Sequence, residues 1–223
     1  MTKCIQCQAT YIEDFNAKTF YRKATKFCER CLEQWQNVKL LPENRCSRCL
    51  KQLAVNERDC LDCKFLITQF KLMHQLYCDY QYEGIVKQLI HQYKFMKDVA
   101  LSEVLAAQMR LPKVRYDYIV PIPSSIEKDQ TRTFNPVTCV LDQMNVPYES
   151  LLIAKVRPKQ SSLGKLHRAE LINPFEVAQN IDLENKNILL IDDIYTTGLT
   201  VHKALATLLI RKIRKFDVFT FAR

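Results

Sequence analysis

Two adjacent carboxylates, Asp192 and Asp193, follow the apolar run Ile188-Leu189-Leu190-Ile191 and precede Ile194-Tyr195-Thr196-Thr197-Gly198-Leu199-Thr200. Four apolar residues in a row make a buried strand, which puts the acids at its carboxyl end. The Thr-Thr-Gly-x-Thr turn then leads into a helix. A helix N-terminus offers backbone N–H groups and a dipole that favours an anion, so Tyr195, Thr196, Thr197, Gly198 and Thr200 form the expected phosphate-binding turn. Gly198 allows close backbone approach. The candidate catalytic pair, Asp192 and Asp193, can accept hydrogen bonds from neighbouring ribose hydroxyls, directly or through Mg²⁺ and water. Each part suits a phosphorylated ribose. An ordinary strand-to-helix loop with exposed acids is the alternative, but adjacent acids repel each other and are costly without a ligand or cation.

A second chemistry resides in cysteine. Of ten cysteines, eight form four tight pairs: Cys4-x-x-Cys7, Cys28-x-x-Cys31, Cys46-x-x-Cys49 and Cys60-x-x-Cys63. One turn of C-x-x-C supplies two thiolates, and Zn²⁺ favours four in a tetrahedron, so two structural zinc sites are expected. Redox dithiols are the competing reading, although these usually come singly beside a βαβ pattern. Pairing in sequence order and an interleaved cross-brace are both compatible with the spacing. Cys78 and Cys139 read as unpaired core residues.

The elements that must position these groups fall into two regions, residues 1–75 and 76–223. The first is cysteine-rich and broken by polar turns, and so polar a stretch needs metal to supplement its small core. The second alternates strand and helix: strands at 76–81, 118–122, 150–154, 187–191 and 216–221, and helices at 83–95, 99–109, 134–144 and 200–211. This alternation predicts an α/β domain with a mostly parallel sheet and ligands at the strand carboxyl ends. Glycine occurs only at Gly84, Gly164 and Gly198. Between the third strand and Asn173 lies a basic, polar stretch carrying Lys155, Arg157, Lys159, Lys165 and Arg168. Together with Arg132 these are the candidate cations for pyrophosphate; a solvated loop is the alternative reading of each.

The formal net charge is +9. Eight zinc-bound thiolates and two Zn²⁺ ions would lower it to +5. That excess permits nucleic-acid or phosphate binding without demanding it. Residues 1–7 show no export signal and no run approaches the ~20 apolar residues of a membrane span, so a cytoplasmic protein without membrane insertion is expected.

The acid pair and the T-T-G-x-T turn resemble the phosphoribosyltransferase signature, in which the acids bind the ribose diol and the turn binds the 5-phosphate. With the cysteine modules in front of it, the chain resembles the ComF family. The resemblance extends through residues 80–97, Pro121-Ile122-Pro123, Arg132-x-Phe134-Asn135, Lys159-Gln160, Arg168 and Asn173. It implies a type I phosphoribosyltransferase-like parallel sheet flanked by helices behind a double zinc-binding region. It also implies Mg with phosphoribosyl pyrophosphate as ligand, and Arg132 and Lys159 among the ligand-binding residues. The chain departs from the family's Arg-Gly-Phe-Asn-Gln pattern with Arg132-Thr133-Phe134-Asn135-Pro136, losing a backbone-permissive glycine and a side-chain donor.

Three functions follow from the resemblance. The first is an accessory protein of DNA uptake in natural competence that binds single-stranded DNA, a phosphoribosyl ligand or both, and docks a ComFA-type helicase. Tyr77, Tyr80 and Tyr82 are its candidate exposed aromatics, a core strand being the other reading of them. The second is an active phosphoribosyltransferase, against which the altered loop counts. The third, a ligand-sensing regulator without turnover, lacks any evident duplex-reading element.

Overall fold

Strand β7 (Asn187–Ile194) carries the buried apolar run Ile188–Ile191 and strand β8 (Lys215–Ala222) is buried from Phe216 onward, as strands covered on both faces must be. In the computed structural model, which describes residues 1–12, 21, 25–55, 57, 60–155, 173–178, 181–209 and 212–223 apart from the side chains at 126 and 128, they form the centre of a four-stranded sheet. Its order is β3 (Leu76–Tyr77), β8, β7, β4 (Tyr118–Pro121), and all three pairings are parallel. Val120 is opposite Leu190, and Leu190 is opposite Val218.

Side chains alternate across this sheet and build two cores. On one face Leu189, Ile191, Phe219 and Phe221 pack with helices α3 (Gly84–Phe95), α4 (Leu101–Gln108) and α6 (Pro136–Gln143). Cys4, Cys31 and Trp35 belong to the same core. On the other face Ile188, Leu190, Phe216 and Val218 pack with Val201, Leu205 and Leu208 of α7 (Leu199–Leu209) and with Cys49 and Cys60. The two cysteine modules therefore lie on opposite faces of one sheet. Each adds a short helix, α1 (Glu29–Asn37) in the first and α2 (Leu61–Ile67) in the second, and the first also holds the β1 (Thr2–Lys3) and β2 (Thr10–Tyr11) pair.

The α/β class and parallel sheet are as expected; several boundaries differ. The first strand is only two residues long, because Tyr80 turns into the core against Trp35 at a ring distance of 4.8 Å. Tyr80 is buried and Tyr77 and Tyr82 are half-buried, which corrects the exposed-aromatic reading of this strand. Helix α5 (Ile126–Arg132) was unexpected since its sequence carries no apolar stripe. Hairpin strands β5 (Leu152–Ala154) and β6 (Phe175–Val177) are antiparallel, and β6 is too short to show a period. Strand β7 runs three residues further than the apolar run, so both acids sit within it.

One buried charge lies in the sheet. Asp217 is wholly buried on β8, where the Tyr116 hydroxyl donates to it at 2.7 Å and Lys215 and His74 lie 3.3 and 3.2 Å away. A carboxylate is tolerated in a core when partnered in this way.

The turn after α5 shows how the chain accommodates its missing glycine. Thr133 caps α5 in the left-handed region, at φ 72° and ψ 2°, a conformation that disfavours β-branched residues. Pro136 is the first residue of α6, and Asn135 caps that helix by accepting from the N–H groups of Val137 and Thr138 at 3.0 and 3.1 Å. Replacing Thr133 by Gly relieves the left-handed strain and is expected to stabilise the protein by about 1 kcal/mol after the entropic cost of glycine. Denaturant unfolding checks this; a lower midpoint would mean that the contacts of Thr133 outweigh its strain.

Candidate functional site

The two cysteine modules repeat one local design. In each, the first C-x-x-C turns back so that a residue in the left-handed region, Gln8 or Leu50, donates its N–H to the carbonyl of the first cysteine at 2.9 Å. The second pair begins a helix: Cys28 and Cys60 are the N-cap residues of α1 and α2. Two thiols from a turn and two from a helix start then converge. Cys4, Cys7, Cys28 and Cys31 form one cluster and Cys46, Cys49, Cys60 and Cys63 the other, with the sulfurs of each within 4.8 Å of one another. Pairing thus follows sequence order.

Sulfur separations of 3.7 Å (Cys7–Cys28), 3.8 Å (Cys46–Cys63) and 3.5 Å (Cys49–Cys60) match the edge of about 3.8 Å of a tetrahedron with zinc–sulfur arms of ~2.3 Å. Burial and the neighbouring sulfurs push the Cys31 and Cys63 thiols up, since four thiolates cannot sit together without a cation. Burial also raises Cys4, but N–H groups of Cys7, Cys28 and Gln6 outweigh it and bring that thiol to about 6. Each cluster could hold one zinc ion. Cys78 and Cys139 stand apart from both clusters.

The second site is a cleft of about 650 Å³ at the carboxyl ends of β4 and β7. Asp192 and Asp193 reach it from β7, Thr200 from the first turn of α7, Arg132 from the end of α5, Lys94 from the last turn of α3 and Lys155 from just beyond β5. With Glu127 of α5, three cations and three acids therefore share one cleft. Lys94 forms an ion pair with Asp193, both side chains being largely buried. Asp192 accepts from the Asp193 N–H at 2.9 Å, which orients its carboxylate. Arg132 is buried with its guanidinium 5.7 Å from the centre of the Phe95 ring. Such a setting keeps a planar donor group in place in the cleft wall.

The expected residues separate into groups. Asp192, Asp193, Thr200, Arg132 and Lys155 are brought together. Thr196 and Thr197 are exposed on the adjoining turn. Tyr195 is instead buried to 1% exposure beneath that turn. Gly198 is buried too, at φ 80°, and a Cβ there would stand 2.1 Å from the Tyr195 hydroxyl. The glycine is required by the tyrosine below it and by its own backbone conformation. Lys159, with Arg157, Lys165, Arg168 and Gly164, lies outside the described residues.

Sequence reasoning missed Lys94, Ser124, Ser125 and Glu127, which also line the cleft. The serines could have been found, because they directly follow the strand that ends in Pro121-Ile122-Pro123. Lys94 gives no sequence signal, being one lysine on a helix with many polar residues. A larger cavity of about 1060 Å³ lies between the first cysteine module and α4. Its walls mix Lys39, Arg110 and Lys113 with Asp79 and Glu103, and Lys26 and Glu103 pair there at 2.8 Å. The smaller cleft is the one that joins an acid pair to a helix N-terminus.

No protein-family model matches the chain. It is 27% identical over 231 residues to the competence protein ComFC of Bacillus subtilis, spanning 99% of this chain and 94% of that protein. It is 28% identical over 227 residues to ComFC of Streptococcus pneumoniae, spanning 99% and 98%. Over nearly its whole length this chain is similar to these two ComFC proteins. Among solved structures, this chain aligns with a B. subtilis glutamine phosphoribosylpyrophosphate amidotransferase complexed with ADP and GMP. That alignment has 17% identity and a TM-score of 0.35 over 57% of this chain and 26% of the other. A hypoxanthine phosphoribosyltransferase from Staphylococcus aureus aligns at 16% identity and a TM-score of 0.28, over 56% of this chain and 61% of that one. Among the described residues, no helix is long and apolar enough to cross a membrane.

Beneath the turn, the wholly buried His202 places Nδ1 2.8 Å from the Gly198 carbonyl, so Nδ1 carries the proton. Burial holds the imidazole below its usual pKa, against the opposite pull of that carbonyl. Histidine in the unfolded chain takes up a proton below about pH 6.5 while the folded one resists it, so stability falls as pH drops through that value. In His202→Gln, the fall in unfolding midpoint between pH 7 and 5.5 is expected to be shallower than in the wild type. An identical pH slope in the two proteins would remove His202 as a contributor.

Proposed function

We propose that this protein is an accessory factor of DNA uptake in natural competence, and that its cleft binds a phosphoribosyl ligand or a DNA terminus. The observation that carries the reading is the convergence of Asp192, Asp193, Lys94, Arg132 and Thr200 in one cleft at the sheet's carboxyl edge. Two ComFC relatives matched over nearly their whole length support the competence role.

In this reading the N–H groups and hydroxyls of residues 196–200 hold the terminal phosphate, and Asp192 and Asp193 accept hydrogen bonds from the ribose diol. Arg132, Lys94 and Lys155 neutralise further phosphate charge, with Lys159 as a proposed addition. Mg²⁺, when bound with the ligand, supplies additional charge neutralisation. The Lys94–Asp193 pair orients the carboxylate in the free protein, so the cleft presents an acceptor to the diol. Single-stranded DNA follows the basic surface, while the cysteine modules serve as the docking face for the uptake helicase and each holds a zinc ion.

A second reading, turnover as a phosphoribosyltransferase, is favoured by one observation. Thr133 adopts a left-handed backbone, a conformation open to glycine, so the loop is compatible with the family's glycine pattern despite the substitution. Pyrophosphate release from Mg²⁺-phosphoribosyl pyrophosphate with candidate bases distinguishes turnover from binding.

The binding site is tested by titrating the zinc-loaded protein with Mg²⁺-phosphoribosyl pyrophosphate, alone and against labelled single-stranded DNA. The double variant Asp192→Asn, Asp193→Asn is expected to lose about tenfold or more in affinity, since hydrogen bonds to charged groups contribute about 1.5–3 kcal/mol each. Its zinc content should stay at the wild-type level. Retained affinity in that variant would sink the site assignment. Displacement of DNA by the ligand is expected where one cleft serves both, and independent binding would place DNA elsewhere on the surface.

A further inference from the structure

The second cysteine cluster and the phosphate turn are connected through one side chain. Arg223 is fixed by its backbone, its N–H donating to the Tyr80 carbonyl at 3.0 Å and its carbonyl accepting from Tyr82 at 2.9 Å. Its Nε–H donates to the Cys49 carbonyl at 2.7 Å. Nη2 stands 3.9 Å from the Cys49 sulfur and 3.8 Å from Asp62. The same guanidinium lies 5.4 Å from the centre of the Tyr195 ring. Tyr195 is anchored by its own N–H to the Ala222 carbonyl at 3.0 Å. Its hydroxyl fills the space where Gly198 would carry a Cβ.

A continuous set of contacts thus runs from Cys49 through Arg223 and Tyr195 to Gly198, in the middle of the 196–200 turn. Groups that hydrogen-bond to metal ligands tune the centre and depend on it in return. The other cluster is differently placed, since Cys4 and Cys31 pack into the core on the opposite face of the sheet.

We propose that Arg223 is a positioning residue that couples the second cysteine cluster to the phosphate turn, so that zinc at Cys46, Cys49, Cys60 and Cys63 and a sugar phosphate at residues 196–200 bind cooperatively. This rests on reading the cleft as a phosphoribosyl site. Zinc holds Cys49 in place and with it the acceptors that orient the guanidinium. Loss of the metal frees those acceptors to move, and the ring of Tyr195 loses its cover. The turn it supports then no longer holds its N–H groups converged on one point. Coupling of this kind is reciprocal: if zinc favours the sugar phosphate, the sugar phosphate must retain zinc at that cluster.

The test uses the full zinc-loaded chain and ribose 5-phosphate. Binding is first measured by calorimetry. Zinc is then withdrawn with a chelator in the presence and absence of ribose 5-phosphate while exposed thiols are alkylated, and peptide mapping reports Cys46–Cys63 and Cys4–Cys31 separately. Ribose 5-phosphate is expected to protect the second cluster about fivefold or more, within the usual range of coupling between sites, and to leave the first nearly unchanged. In Arg223→Gln, ribose 5-phosphate affinity should fall by a similar factor and the selective protection should disappear, while Arg223→Lys, which keeps the charge without the planar fork, should fall in between. Binding without protection, equal protection of both clusters, or selective protection that survives in Arg223→Gln would overturn the coupling alone. Should that variant not fold, the wild-type comparison of the two clusters decides. Failure of the wild type to bind ribose 5-phosphate would overturn the cleft reading as well.

Discussion

A parallel sheet must be covered on both faces, because its crossover connections and its apolar strands leave neither side fit for water. Strands β7 and β8 impose this requirement most strongly here, with Ile188 to Ile191 and Phe216 to Ala222 buried almost without interruption. Helices α3, α4 and α6 cover one face and α7 the other, and each layer is completed by a cysteine module. Cys4 and Trp35 extend the first core, and Cys49, Cys60 and Met73 extend the second. The cysteine clusters consequently belong to the same cores that hold the sheet, and the modules are continuous with the domain they precede.

The cleft inherits its character from where that burial stops. Strand β7 carries its apolar run to Ile191 and then continues as strand through two carboxylates, which leaves them half-buried at the rim of the cleft. Adjacent acids in such a place need cations. Lys94 supplies one directly to Asp193, and Arg132 is held in the wall against Phe95. Both come from segments distant in sequence, α3 and α5, and both are fixed by packing that has little to do with ligand. Tyr93, the neighbour of Lys94, donates its hydroxyl to the Pro136 carbonyl at 2.9 Å and so ties α3 to the start of α6. That carbonyl belongs to the backbone, so the tie between α3 and α6 does not depend on which residue occupies position 136.

The parts of the structure legible from sequence are those with a period or a fixed spacing. The C-x-x-C pairs announced two clusters, and the apolar run before Asp192 announced the central strand and the edge where a ligand would sit. Helices α3, α4 and α7 were evident from their apolar faces. What could not be read was anything that depends on three-dimensional neighbours. Helix α5 carries no apolar stripe, since it contributes Arg132 to a cleft and little to the core. Lys94 becomes significant only when α3 is laid beside β7. Tyr195 and Gly198 stand in a phosphate-type turn and read as ligand contacts, yet their side of the turn faces inward and their roles are set by each other.

That inward side also explains an otherwise costly arrangement. The hydroxyl of Tyr195 and Nε2 of His202 are both buried without a hydrogen-bond partner among the described residues. An unsatisfied buried polar group costs roughly 1–3 kcal/mol, so two together under one short turn need a compensating reason. A phosphate turn works by holding several N–H groups converged on one point before the anion arrives, which a flexible loop cannot do. Tyr195 supports the turn at Gly198, where any side chain would collide with it, and His202 fastens the Gly198 carbonyl from the helix side. A phenylalanine in place of Tyr195 would satisfy the core better but would leave the space under Gly198 empty. The two unpaired atoms are therefore intelligible as the cost of a turn held rigid from beneath.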